Sequence, residues 1–327
     1  MEPYWFDAIY APNDRNQLRS RVDFPDRAYS PGEIRANLDL LKDVELLFSG
    51  WYGEVLDKKL LDAAPRLKAV FFGGGSIRRT VTDEFWKRDI ALSNAASANA
   101  VPVAEFTLAQ IILSLKGVWW HTRELYRTRE YPRYDAEGRQ VPGAYNSIVG
   151  IVSLGLVGRR VRELLRMLDI RVLVYDPFVT EESAAVLGVE LVSLEELLQR
   201  SDIVTIHTPL LKETEGMFTG ELIASMKSGA TLINTARGQL IKEAEMIEVL
   251  RQRKDLCALL DVTCQEPLDP DSPLYSMPNV ILTPHIAGSL NGECHRMGKL
   301  MIEEAERFLK GEPLQWGITQ KQAAILA

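Results

Sequence analysis

The run Ile148-Val149-Gly150-Ile151-Val152-Ser153-Leu154-Gly155-Leu156-Val157-Gly158 constrains the chain more than any other stretch, because an apolar strand pattern breaks into a glycine-spaced turn and then a helical pattern. A strand handed to a helix through closely spaced glycines is the opening of a βαβ unit that binds a dinucleotide. The spacing G-x-G-x-x-G is kept at 153, 155 and 158, with Ser153 in place of the first glycine, which makes the tight turn. If that turn has negative φ, serine is neutral there; if φ is positive, serine carries about 1 kcal/mol of strain. Gly155 lets a backbone approach a pyrophosphate, Gly158 permits close helix–strand packing, and the helix start at Leu156-Val157 offers N–H groups to phosphates. The alternative is a glycine-containing turn without a ligand.

Asp176 favours the dinucleotide. It lies 18 residues past Gly158, at the end of the next apolar run, where a carboxylate accepts hydrogen bonds from ribose hydroxyls. A carboxylate there also repels a 2′-phosphate, so NAD is expected rather than NADP. The lesser alternative is Asp176 as a turn residue before Pro177.

A nucleotide unit that opens near residue 148 leaves a domain's length of chain in front of it. At 327 residues the chain suits two domains, each able to bury a core. The net charge of -7 repels nucleic acid and anionic membrane surfaces, so neither is an expected partner. Cys257, Cys264 and Cys294 lack C-x-x-C spacing and are odd in number, which points to a reducing, cytoplasmic setting rather than to disulfides or a metal site. The start Met1-Glu2-Pro3-Tyr4-Trp5-Phe6-Asp7 reads as no signal peptide, and no apolar run is expected to span a bilayer.

The first hundred residues alternate apolar runs (Val44 to Gly50, Leu67 to Phe72 before Gly73-Gly74-Gly75, Asp89 to Asn94) with helical stretches, as in a parallel sheet with crossover helices. Val103 to Lys116 reads as a buried connecting helix, and Tyr131 to Asn146, with Pro132, Gly138, Pro142 and Gly143, as a linker or exposed loop. Beyond the fingerprint, strands are expected at Arg171 to Tyr175, Ile203 to Ile206, Thr231 to Asn234, Leu256 to Leu260 and Val280 to Leu282. They end at Asp176, His207, near Arg237, at Asp261 and before Pro284-His285. Polar residues just past the carboxyl ends of parallel strands sit where ligands bind. An amphipathic helix from Cys294 to Leu309 is expected to cross back to the first domain.

Three of those residues carry a chemistry. Arg237 can form a two-pronged bond to a carboxylate or keto oxygen. His285 beside Glu266 is favoured in its protonated form, which suits it to donate a proton near neutral pH. Singly, each has a structural reading: a surface arginine, a loop glutamate, a satisfied histidine. Together, after three strands downstream of a nucleotide fingerprint, they point to acid–base work. Trp119-Trp120-His121 reads as core or subunit interface. Cys264, near Glu266 in sequence, gives no reason to propose a nucleophile.

The chain resembles the NAD-dependent D-2-hydroxyacid dehydrogenase family. The resemblance rests on Asn99-Ala100-Val101-Pro102-Val103-Ala104-Glu105, the fingerprint, Asp176, His207-Thr208-Pro209-Leu210, Asn234-Thr235-Ala236-Arg237-Gly238, Leu260-Asp261-Val262, Glu266-Pro267 and Pro284-His285-Ile286-Ala287-Gly288. It implies an α/β fold of two doubly wound parallel-sheet domains: a Rossmann NAD-binding domain (102–289) inserted in a discontinuous flavodoxin-like substrate domain (1–101 and 290–327). It implies His285 as general acid or base paired to Glu266, and Arg237 binding and polarising a 2-keto acid. Asp261 would hold the nicotinamide carboxamide, and Gly73, Gly74 and Gly75 would offer N–H groups to the substrate carboxylate. The cofactor would be lined by Gly155, Leu156, Val157, Gly158, Asp176, His207, Thr208, Pro209, Thr235, Ala236, Arg237, Asp261, His285 and Gly288. Closure of the cleft would exclude water, and the protein would be a homodimer.

The chain departs from the family pattern at Ser153 and after Gly75, where Ser76-Ile77-Arg78-Arg79 stands in place of an Asp-Asn pair. Arg78 or Arg79 could meet a second acidic group on the substrate, or be a solvated basic pair. A non-catalytic NAD-sensing protein on the same fold, and an NAD-linked enzyme acting on another small anion, are the competing functions.

Overall fold

The computed structural model describes residues 1–131 and 141–325. Most of the stretch expected to be a linker, 132–140, lies outside the described residues, and 141–147 form neither helix nor strand. The chain divides into two compact units, Val101–Gly288 and Met1–Ala100 with Ser289–Ala327.

Among the described residues the Val101–Gly288 unit holds a seven-stranded, all-parallel sheet. Its strands are β4 (Ile148–Val152), β5 (Arg171–Tyr175), β6 (Glu190–Leu191), β7 (Ile203–Ile206), β8 (Thr231–Asn234), β9 (Cys257–Leu260) and β10 (Val280–Leu282), in the order β10-β9-β8-β7-β4-β5-β6. Both faces are covered, which is why these strands read as unbroken apolar runs rather than alternating ones. Leu173, Val204, Leu232, Ala258 and Leu260 enter one core; Val172, Val174, Ile203, Ile233 and Leu259 enter the other. The order reverses between β4 and β7, the crevice at which open α/β sheets take their ligands. Helices between the strands start on side-chain caps: Thr180, Ser193 and Thr219 accept from the N–H groups of Ser183, Glu196 and Leu222.

The other unit is smaller. Its strands β1 (Leu46–Gly50), β2 (Ala69–Gly73) and β3 (Ala91–Asn94) form a parallel sheet in the order β1-β2-β3. Along β2, Ala69 and Phe71 pack with helix Cys294–Leu309 and the N-terminal helices, while Val70 and Phe72 pack on the opposite face with Leu56, Leu60 and Phe85. The sheet is therefore wound on both sides. The amphipathic pattern from Cys294 to Leu309 is one helix with those bounds. Its buried Glu304 pins the chain beyond the helix, accepting from Gln315 N, Trp316 N and Ser93 Oγ at 2.8–3.0 Å.

One helix is longer than its sequence suggests. Ala96–Leu115 continues through Pro102 and is long and apolar enough to meet the length and composition test for crossing a membrane, contrary to the expectation that no run would. Its contacts make it a core helix: Ala104, Ile111 and Leu115 are buried, and Thr107 Oγ1 donates to Val103 O and lies 3.3 Å from Thr235 Oγ1.

Candidate active site

In an all-parallel sheet the strands' carboxyl ends share one edge, and each polar residue singled out after β4 to β10 stands there. At the nucleotide end, β4 leaves the sheet through Ser153 at φ 77°, the left-handed region, so serine holds a turn that glycine takes without strain. Asp176 closes that turn. Its Oδ2 accepts from Leu154 N at 2.8 Å and from Ser153 Oγ at 3.4 Å, and its Oδ1 accepts from Phe178 N at 2.9 Å. A Cβ on Gly158 would lie 2.0 Å from Ser153 O, so only glycine lets helix Leu156–Leu165 start this close to the strand. A Cβ on Gly155, by contrast, would meet nothing within 4 Å.

That open approach fits a pyrophosphate. The helix begins at Gly155 with no side-chain cap and no acidic residue in its first turn, which leaves the N–H groups at Leu156-Val157 and the positive end of the dipole for an anion. Farther along the edge, His207 Nε2 lies 3.0 Å from Thr205 Oγ1, and loss of solvent pushes its imidazole pKa down to about 3, so the ring is neutral. A neutral, half-buried imidazole is poorly suited to donate protons near neutral pH. Thr208 beside it is buried, its hydroxyl directed at Val152 O.

The loops after β8, β9 and β10 meet. His285 Nδ1 is 2.9 Å from Glu266 Oε2, with the two side chains 52% and 41% exposed. Nδ1 thus donates to the carboxylate, and Nε2 is the ring atom left for a proton in transit. Glu266 Oε1 in turn accepts from Thr263 N at 3.4 Å. The Arg237 loop is shaped by fully buried Asn234, whose Oδ1 accepts from Ala236 N and whose Nδ2 donates to Arg237 O. It lies directly on the Glu266 loop: a Cβ on Gly238 would fall 2.0 Å from Thr263 C and 2.4 Å from Cys264 N, and Gln239 Nε2 donates to Cys264 O at 2.8 Å. Burial and the nearby Glu243 carboxylate push the Cys264 thiol up to about 11, so it stays a thiol.

Asp261 has a role that its place in the sequence does not announce. It is 1% exposed, and its carboxylate accepts from Thr283 Oγ1, Ile286 N and Ala287 N, which folds the β10 loop around His285. The signal was present: a lone acid closing an apolar strand must be neutralised by donors from somewhere. In the sequence Asn234 and Gly238 stand only as motif letters; their spatial roles depend on a neighbouring strand that sequence does not show.

In the smaller unit, Gly73 and Gly74 are glycines for packing reasons. Added Cβ atoms would meet Ile9 Cγ2 and Phe72 Cε1, each at 2.7 Å. Gly74 N already donates to Phe72 O at 2.8 Å, so the N–H groups that the loop can offer are those past it. Ile77 is buried, while Arg78 and Arg79 are exposed.

The family described as D-isomer specific 2-hydroxyacid dehydrogenase, NAD binding domain, matches residues 108–287. The D-3-phosphoglycerate dehydrogenase of Archaeoglobus fulgidus is 32% identical over 260 residues, 80% of this chain and 49% of that protein. The (S)-sulfolactate dehydrogenase of Chromohalobacter salexigens is 34% identical over 255 residues, 78% of this chain and 81% of that protein. The chain spans about half the length of the phosphoglycerate dehydrogenases it matches. Among solved structures, apo D-mandelate dehydrogenase of Rhodotorula graminis superposes with a TM-score of 0.82 at 24% identity, covering 98% of this chain and 96% of that one, a likeness of fold. A Thermus thermophilus protein gives 0.74 at 27% identity over 94% and 96% of the two chains. A parallel sheet with an uncapped, glycine-opened phosphate turn, matched over its length by an NAD-binding family, places the chain in the D-isomer specific 2-hydroxyacid dehydrogenase family.

Proposed function

We propose that the chain transfers a hydride between NAD(H) and a small 2-keto acid or D-2-hydroxy acid, with residues 102–289 as the NAD-binding domain and 1–101 with 290–327 as the substrate domain. The observation that carries this reading is the 2.9 Å pair of His285 Nδ1 and Glu266 Oε2 on a loop edge shared with Arg237. Binding a dinucleotide needs no acid–base pair, whereas reducing a ketone needs a proton donor for the oxygen. When bound, NADH supplies the hydride.

The chain's residues supply the rest. Glu266 fixes the imidazole and its Nδ1 proton, and His285 Nε2 delivers a proton to the keto oxygen, or removes it in the reverse direction. Arg237 offers a planar, permanently charged fork to the substrate's carboxylate and keto oxygens. In the Gly73–Gly75 loop the main-chain donor left for the carboxylate is Gly75 N, since Gly74 N is tied to Phe72 O. Cofactor contacts fall to Gly155, Leu156, Val157, Gly158, Asp176, His207, Thr208, Pro209, Thr235, Ala236, Asp261 and Gly288. The reading also makes the protein a cytoplasmic homodimer joined through the nucleotide domains. Its three cysteines, none of them in a disulfide, and the exposed Leu125 and Tyr126 on helix Val118–Thr128 support this.

The test is NADH oxidation, followed by absorbance, across a panel of 2-keto acids. The expected result is turnover of at least one, with kcat in His285→Ala reduced by roughly 100-fold or more. NADH binding without turnover of any would favour a sensing role, and equal rates in the variant would remove His285 from the reaction.

A further inference from the structure

In the loop after β2 the carbonyls of Gly74 and Gly75 are engaged while two of its N–H groups are open. Phe72 O accepts from Gly74 N and Ala95 N, Gly74 O accepts from Ala95 N, and Gly75 O accepts from Asn94 Nδ2 at 2.6 Å. The N–H groups of Gly75 and Ser76 donate to no described residue. Beside them stands Trp51, just past the end of β1. A Cβ on Gly74 would lie 3.0 Å from both Trp51 Cδ1 and Trp51 Nε1, so the Cδ1–Nε1 side of the indole lies close to this loop. Glycine at 74 leaves room beside it. Enclosed tryptophans normally give their N–H an acceptor, yet Trp51 is half-buried and its Nε1 donates to no described residue.

The indole is not loose. Trp5 packs edge-on against it at 5.2 Å and 88°, and Trp5 also stacks on Tyr52 at 5.7 Å. Tyr52 holds a positive φ of 56°, so the turn carrying both rings is a specified shape. A packed indole N–H near two untied main-chain N–H groups, where the carbonyls of Gly74 and Gly75 are already engaged, is a donor set without an acceptor among the described residues. It suits an oxyanion, and charge-assisted bonds to it are the strong kind.

We infer that Trp51 is a substrate-binding residue, its indole N–H joining the N–H groups of Gly75 and Ser76 as a third donor to the carboxylate of the 2-keto acid. This rests on the proposed function, which assigns the loop to substrate. Two measurements separate the claims. First, steady-state kinetics on the wild type, Trp51→Phe and Trp5→Phe: Trp51→Phe keeps an aromatic ring but loses the donor, and is expected to raise KM about tenfold with kcat changed less than about twofold. Trp5→Phe, which loosens the packing and removes no donor from the loop, is expected to leave KM within about twofold. Second, the indole N–H resonance that disappears in Trp51→Phe is followed in the wild type on titration with pyruvate and with phenylpyruvate, in the presence of NAD⁺, which cannot reduce them. It is expected to move downfield and saturate.

An unmoved resonance with an unchanged KM in Trp51→Phe overturns the inference, as does a KM rise in Trp5→Phe equal to that in Trp51→Phe. If the resonance shifts but the wild type reduces no 2-keto acid, carboxylate binding by Trp51 stands and the proposed reaction falls. If neither shift nor turnover occurs, both fall.

Discussion

Asp261 grips His285 from both ends of its own residue. The Asp261 carbonyl accepts the His285 N–H at 2.9 Å, while its carboxylate accepts Ile286 N and Ala287 N at 2.9 Å each and the Thr283 hydroxyl at 2.5 Å. His285 sits at φ 53°, a conformation disfavoured for any residue with a Cβ. The strain is held by these bonds, and its product is an imidazole set against Glu266. A buried carboxylate normally costs stability; here three donors from one loop neutralise it and define the loop's shape.

Asp261→Asn keeps the volume but turns one acceptor oxygen into an amide that must face an N–H group. The unfolding free energy measured without cofactor is expected to fall by about 2 kcal/mol, the cost of a buried donor left unmatched. With the His285 loop relaxed, kcat/KM should fall by about 10- to 100-fold. Chemical denaturation together with steady-state kinetics checks both; an unchanged unfolding midpoint would show that the carboxylate does not hold the loop.

Gly238→Ala places a methyl group 2.0 Å from the carbonyl carbon of Thr263, a clash with backbone that no rotamer relieves. The Arg237 and Glu266 loops must separate. Activity is expected to drop by about 100-fold or more, with stability lowered by about 1–3 kcal/mol. Gly155→Ala is the contrast, since its added methyl meets nothing within 4 Å and should leave apo stability within about 0.5 kcal/mol. Thermal unfolding of the two variants side by side is the measurement, and equal losses would count against the packing argument.

A residue's role is legible in the sequence to the extent that it depends on its own strand or helix. The strands of the larger sheet could be read because burial on both faces makes them continuous apolar runs, and β5, β7, β8 and β10 have the bounds their patterns suggest. The two-residue strand Glu190–Leu191 could not be read, because pairing with β5 and not composition makes it a strand. The helix Ala96–Leu115 begins seven residues before the expected Val103, because Pro102 hid the turns in front of it. Glu266 and His285 were visible as residue types at strand ends. Their 2.9 Å contact, the clamp by Asp261 and the glycine contact at 238 are relations between neighbouring strands, and local sequence carries no strand order.

Ser153 is ambiguous in the sequence, and its φ of 77° removes the ambiguity. A left-handed serine carries about 1 kcal/mol that glycine does not, and among the described residues its side-chain return is a 3.4 Å contact to Asp176. Ser153→Gly is therefore expected to raise stability by no more than about 0.5 kcal/mol, after the entropy that glycine gains in the unfolded chain. NADH affinity should change by less than about threefold, because Leu154 N still donates to Asp176 and keeps the turn closed. Thermal unfolding and fluorescence titration with NADH test this, and a lowered melting temperature would mean that the serine hydroxyl matters more than its backbone.

The half-buried His207 makes stability depend on pH. In the unfolded chain this imidazole takes up a proton below about pH 6.5, whereas in the folded protein it does so only near pH 3. Between those values the unfolded state holds more protons, so the contribution is fully present above about pH 6.5 and is lost as pH falls toward 3. The limiting slope from one such group is about 1.4 kcal/mol per pH unit. His207→Asn removes the titrating ring while keeping a partner for the Thr205 hydroxyl, and it should flatten the decline in urea-unfolding free energy between about pH 6.5 and pH 4 by up to that slope. Parallel curves for variant and wild type would show that His207 is solvated enough to titrate normally, and the ring would then be available for proton transfer after all.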